Sequence, residues 1–193
     1  LTQYVAQTNP LDFLAIEKKT KNKNFYIVAT NKDNGKPVYL KPSINNIYKC
    51  LRATSSLPFF TKGLCKIDGL SLMDGAWSDP IPVESAISFG ANKIVVIRPY
   101  PHGYKIDGLN YLGLIAGYWW KNNPKISDQF FQEYENYNKS VDFLNIKHVG
   151  IEVLQICPNT LLKSSVLGTT QQDLLDDYRC GLDLGMNFLD SYR

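Results

Sequence analysis

The run Lys93-Ile-Val-Val-Ile97 constrains the fold of this chain more than any other segment. Its four apolar residues are all β-branched, with no polar residue alternating between them. Such a run predicts a strand apolar on both faces, at the centre of a covered sheet. In the segment before it, Pro82 suits the first turn of a helix through Phe89, and Gly90 stops that helix. Asp79 lies where it can cap the helix or complement its dipole. Earlier still, Gly63–Ile67 and Leu70–Met73 read as two strands around a tight Asp68-Gly69 turn. Strand, helix and strand in this order predict an α/β layered domain.

The remaining segments fit that class. Phe25–Thr30 reads as a buried strand, Asn31–Gly35 as a turn and Pro37–Leu40 as the paired return strand. Ser43 can cap a helix over Ile44–Arg52, which Pro58 terminates or follows with a turn. Asn123-Pro124 opens a helix whose apolar face includes Ile126, Phe130, Tyr134, Tyr137 and Val141. Gly150–Ile156 alternates enough for a strand. Thr170 can cap a final helix with Leu174, Tyr178, Leu182, Met186 and Leu189 on one face. Gly181 and Gly185 lower the helix propensity there, which close packing on a neighbour would explain. With 193 residues and no internal repeat or linker, the chain is expected to form one compact unit with a real core.

Composition removes several function classes. No apolar run approaches the roughly eighteen residues of a membrane-spanning helix, and no signal-peptide pattern opens the chain. Cys50, Cys65, Cys157 and Cys180 are widely spaced, with only His102 and His148 beside them. A finger-type zinc site is excluded, no metal or cofactor is expected, and the cysteines read as reduced thiols of a cytosolic protein, a secreted origin staying open. Residues 1–62 hold 10 Lys/Arg against 3 Asp/Glu, an imbalance that would favour an anionic surface, the competing and preferred reading being that Lys18, Lys19, Lys21 and Lys23 solvate a hairpin tip. There is no P-loop, no dinucleotide fingerprint and no nucleic-acid signature.

Little is left to carry chemistry. Gly69-Leu-Ser71-Leu-Met73 lacks the second glycine of a G-x-S-x-G elbow and falls on a predicted strand. His102 and His148 have no accompanying nucleophile signal and read as loop or surface residues. The concentrated candidate is Met73-Asp74-Gly75-Ala76, at the end of a strand. A carboxylate there, followed by glycine, can approach another backbone closely and turn its oxygens into a crevice. A plain Asp-Gly turn is the competing explanation.

The surrounding pattern strengthens the catalytic reading. Leu51-Arg-Ala-Thr-Ser-Ser-Leu-Pro58, Ile67-Asp-Gly69, Met73-Asp-Gly-Ala76, Asp79-Pro-Ile-Pro-Val83, Gly90-Ala91 and Ile94-Val-Val-Ile97 together resemble the C-terminal half of patatin-like phospholipases. The likeness is strong over residues 25–98, and the rest is similar to the helical C-terminal extension of a bacterial branch. The resemblance implies an incomplete three-layer α/β/α sandwich: residues 1–100 as the C-terminal half of the catalytic domain, and 101–193 as an extension packed on it. It also implies a lipid acyl hydrolase that uses a Ser–Asp pair without histidine, in which Asp74 is the acid. Such an Asp would need partial desolvation to serve as a base near neutral pH. The family's upstream serine elbow and oxyanion loop have no counterpart in this sequence. The chain is therefore expected to be part of a longer protein and inactive alone.

Three further expectations follow from that reading. The substrate is a lipid or other acyl ester, and Gly108–Trp120 is the candidate lipid-access segment or membrane contact, core packing being the alternative. Phe25–Thr30 lacks sheet neighbours from the absent half, so the chain should either retain an N-terminal segment or form a homo-oligomer. A non-catalytic binding or regulatory domain of the same fold is the alternative function.

Overall fold

The computed structural model describes residues 7–8, 10–21, 23–57, 64–108, 111–165 and 168–192. The described chain is mixed α/β and divides into two units. One comprises residues 1–82 and 106–138, the other 83–105 and 139–193. Pro58 and Gly63 lie outside the described residues.

The first unit is built on a four-stranded antiparallel sheet in the order β2-β1-β4-β3. Its strands are β1 (Ile27–Asn31), β2 (Pro37–Leu40), β3 (Cys65–Ile67) and β4 (Leu70–Asp74). β1 pairs with β2 from Ile27↔Leu40 to Thr30↔Pro37, and its other edge meets β4. Phe25–Thr30 was expected to lack sheet neighbours, yet the strand found there is flanked on both sides. The tight turn between β3 and β4 is as predicted: Asp68 (φ 48°) and Gly69 (φ 79°) both occupy the left-handed region that such a hairpin requires.

Four helices of this unit can be traced: α1 (Phe13–Thr20), α2 (Ile47–Thr54), α4 (Tyr111–Trp119) and α5 (Pro124–Phe131). Lys18 and Lys19 lie in the last turn of α1 and not on a hairpin tip, where they complement the negative end of the helix. α2 starts three residues later than predicted. The side chain of Asn46 accepts the Ser43 N–H at 2.7 Å, closing a turn before the helix instead of letting Ser43 cap it. Ile47, Cys50 and Ala53 are then buried, and Cys50 and Ala53 pack with Ile27, Ala29, Cys65, Ile67 and Leu72.

A second core forms where α4 and α5 close on the end of β4. It contains Met73, Trp77, Ala116, Ile126 and Phe130, with Leu57, Leu64 and Trp120 at its margin. Phe130 meets the Trp77 ring edge-on at 4.5 Å between centroids. The predicted helix after Asn123-Pro124 is two: α5 ends at Phe131 with Gln132 as its C-cap, and α6 (Glu133–Asn145) continues. Ile126, Phe130, Tyr137 and Val141 are buried as expected, and Tyr134 half-buried.

The second unit contains α3 (Val83–Ser88), β5 (Lys93–Ile97), β6 (Glu152–Ile156) and α7 (Gln171–Ser191). β5 and β6 form a parallel pair in register from Lys93↔Glu152 to Ile97↔Ile156. The expectation that β5 is central and covered on both faces fails. Among the described residues it pairs with β6 alone, Val95 is exposed, and Ile97 is 78% exposed. Thr170 caps α7 through a reciprocal capping box with Asp173, as its position predicted. The predicted apolar face of α7, however, has no buried residue: Leu174, Tyr178, Leu182, Met186 and Leu189 are all exposed. A side chain added at Gly181 or Gly185 would meet nothing within 4 Å, so the close packing expected of these glycines is absent from the described residues.

Candidate active site

Asp74 is the last residue of β4, and its backbone is held from two sides. Its N–H donates to the Ser56 carbonyl at 3.0 Å, and its carbonyl accepts the Thr30 hydroxyl at 2.6 Å. The Thr30 and Ser78 hydroxyls lie 2.8 Å apart, so the fully buried Thr30 is satisfied by partners far along the chain. The chain then leaves the strand as a single 3-10 turn, Gly75–Trp77. An Asp74 carboxylate oxygen caps that turn by accepting the Ala76 N–H at 2.9 Å.

Gly75 explains why the dipeptide is Asp-Gly. A Cβ there would sit 2.3 Å from the Val28 carbonyl oxygen and 2.7 Å from its carbon. Both are backbone atoms of β1 and cannot rotate away, so only glycine permits the contact. The backbone approach expected of Asp74-Gly75 is thus present, with β1 as the neighbour. A simple solvent-exposed turn would not require it.

The Asp74 carboxylate is half-buried. Burial raises its pKa above the ordinary aspartate value, and the Ala76 N–H pulls the other way with less effect. The partial desolvation that a basic role requires is therefore in place. Asp79 lies five residues on. It accepts the Tyr39 hydroxyl at 2.5 Å and so ties the segment after β4 to β2. Neither Tyr39 nor Thr30 nor Ser78 was legible as part of this site. Their approach depends on the sheet register, and no local spacing announces it.

The other candidates are accounted for structurally. Ser71 lies on β4, as expected. The His148 ring packs on Phe143 and bonds its carbonyl at 2.9 Å, while His102 makes a longer contact, 3.4 Å, with Gln155. All four cysteines are free thiols, and burial pushes the Cys50 and Cys157 thiols up, away from nucleophilic character. Among the described residues no group of three or more His, Cys, Asp or Glu could hold a metal ion. No helix among them is long and apolar enough to cross a membrane.

Comparisons with known proteins address the chain more than the site. Residues 123–193 match a domain of unknown function, DUF6363, a stretch that includes β6 and α7 but not Asp74. The chain is also similar to the "Uncharacterized protein YjjU" of Escherichia coli (strain K12). The two are 29% identical over 176 residues, which covers 86% of this chain and 47% of that protein. The chain thus spans about half the length of the curated relative it matches.

Proposed function

We propose that this chain carries the acid half of a patatin-like Ser–Asp acyl hydrolase, with Asp74 as the base and the serine contributed from outside these 193 residues. The observation that carries the reading is the half-desolvated carboxylate at a strand end, fixed by a backbone contact that only Gly75 allows. In the reaction, Asp74 takes the serine proton as the hydroxyl oxygen attacks the ester carbonyl. It returns that proton to the departing alcohol, leaving an acyl-serine. Water then attacks the acyl group, gives its proton to Asp74, and the fatty acid leaves as the serine is reprotonated. The substrate class is a lipid or related acyl ester, and no cofactor takes part.

The open edge of β5, the exposed Val95 and Ile97 and the exposed face of α7 are where further layers of an α/β/α sandwich would pack. The half-length match to the relative leaves room for such layers. We assign the protein to the cytoplasm on its four free thiols.

Two measurements test the reading. The coding sequence ahead of residue 1 should contain a G-x-S-x-G elbow; without one, the non-catalytic binding domain is the better reading. The full-length protein should hydrolyse a p-nitrophenyl acyl ester, and Asp74→Asn should lose about 10²-fold or more in rate. Equal rates for both proteins remove Asp74 from the mechanism. Asp74→Asn should also stabilise the fold at neutral pH. A carboxyl whose pKa is raised on folding is favoured in its protonated form, so its effect on stability worsens as pH rises above the unfolded value, about 4. The variant's advantage in urea unfolding should therefore vanish below that pH.

A further inference from the structure

We infer that the outward face of α4 is a contact surface for an anionic lipid bilayer. α4 is pressed inward along one side. Gly113, Ala116 and Gly117 are buried, the Ser127 hydroxyl of α5 donates to the Gly117 carbonyl at 2.8 Å, and the Phe131 ring lies 2.6 Å from where a Gly117 Cβ would be. That packing turns Leu114, Ile115, Tyr118 and Trp119 outward, with Tyr118 at 70% and Trp119 at 71% exposure. The two tryptophans separate: Trp120 packs at the margin of the core, and Trp119 is exposed. Core packing, the alternative for this segment, therefore accounts for only one side of the helix. Scattered exposed apolar residues need no explanation, but four contiguous ones on a single helical face form a patch.

The chemistry of the patch selects its partner. Tyr and Trp are the side chains that favour the boundary between headgroups and acyl chains, and Leu114 and Ile115 provide the deeper apolar part. From residue 111 to 127 there is no Asp or Glu, while Lys121 and Lys125 follow the helix. The Lys121 ammonium lies over the Tyr118 ring at 4.7 Å, which puts a cation at the rim of the apolar face. Across the base of the helix, Lys32 lies over Trp120 at 5.3 Å. A nine-residue helix cannot span a bilayer, so it would lie in the interface plane with its lysines at headgroup level. This inference does not rest on the hydrolytic reading, since a surface can bind lipid without cleaving it.

The test is co-sedimentation of the full chain with vesicles of 70:30 phosphatidylcholine/phosphatidylglycerol and with pure phosphatidylcholine vesicles. The wild type should bind the anionic vesicles about tenfold more strongly than the neutral ones. Tyr118→Ser with Trp119→Ser should lower anionic binding by about tenfold, with unchanged circular dichroism, and Lys121→Glu with Lys125→Glu should remove the anionic preference. A readout that needs no variant is tryptophan quenching by brominated lipid in the wild type, which should reach Trp119. Asp74→Asn should bind like the wild type, which separates failure of this surface from failure of the proposed chemistry. Absence of binding to both vesicle types, or equal binding by the Tyr118/Trp119 variant, overturns the inference. So does self-association lost in that variant without any lipid binding, which would assign the patch to a protein contact.

Discussion

The two units use the same alphabet of apolar strands and amphipathic helices but finish it differently. In the first, β1 has neighbours on both edges, Ala29, Leu72 and Met73 are inaccessible, and α2, α4 and α5 each bury a side. In the second, a two-stranded sheet leaves Ile97 exposed, and a helix of 21 residues buries none of its side chains. An apolar face states that something should cover it, and the first unit supplies most of its cover from within these residues, the outward side of α4 excepted. For α7 the described residues supply only part of it, where Cys180, Leu184 and Phe188 are half-buried and the helix touches β6, so it leans on local terms: the Thr170 capping box and its pairing with the preceding loop. There the Asp177 carboxylate accepts the Lys163 and Ser164 N–H groups, and Lys163 bridges to Asp176 at 2.6 Å.

Substitutions of matched type should separate the units. Phe130→Ala empties the centre of the second core and should cost about 3–5 kcal/mol in urea unfolding. A loss below about 1 kcal/mol would mean that this core is loosely held and the contrast overstated. Gly75→Ala should cost about 2–3 kcal/mol, because its methyl group meets the β1 backbone and cannot be relieved by a rotamer. In the second unit the sign reverses. Gly181→Ala and Gly185→Ala should each stabilise the chain by about 0.5–1 kcal/mol, since helix propensity improves and nothing is displaced. Destabilisation by either would reveal a neighbour seated against the glycines. The smallest effect belongs to Leu182→Ala, within about 0.5 kcal/mol by thermal unfolding, because its side chain is already half in water.

What could be read from the sequence divides along similar lines. The strands at 27–31, 37–40 and 93–97, the Asp68-Gly69 turn and the Thr170 cap were legible because each is decided within a few residues. Apolar runs, left-handed turn positions and capping side chains act locally. The start of α2 was misplaced because the Asn46 side chain closes a turn over Ser43, so the helix begins after Asn46. The coverage of β5 could not be read at all: four β-branched residues state a preference for burial and say nothing about which chain satisfies it. Near the candidate carboxylate, the close backbone approach at Gly75 was legible from the Asp74-Gly75 dipeptide, against the competing reading of a plain turn. Thr30 and Tyr39 were not, because they arrive through strand pairing across more than thirty residues, and Ser78 enters only as the partner of Thr30.

Gly75 also has a companion. A Cβ on Gly35, in the turn between β1 and β2, would lie 2.6 Å from the Lys125 carbonyl in the first turn of α5. One end of the β1–β2 hairpin is thus pressed backbone against backbone on the helix that carries α4, and the Val28 peptide is pressed the same way on the peptide following the acid. At both junctions the nearest obstacle is a main-chain carbonyl, which cannot rotate aside as the Gln129 side chain beside Gly35 could, so the hairpin works as a stiff spacer that fixes the carboxylate and the aromatic helix by the same piece of main chain.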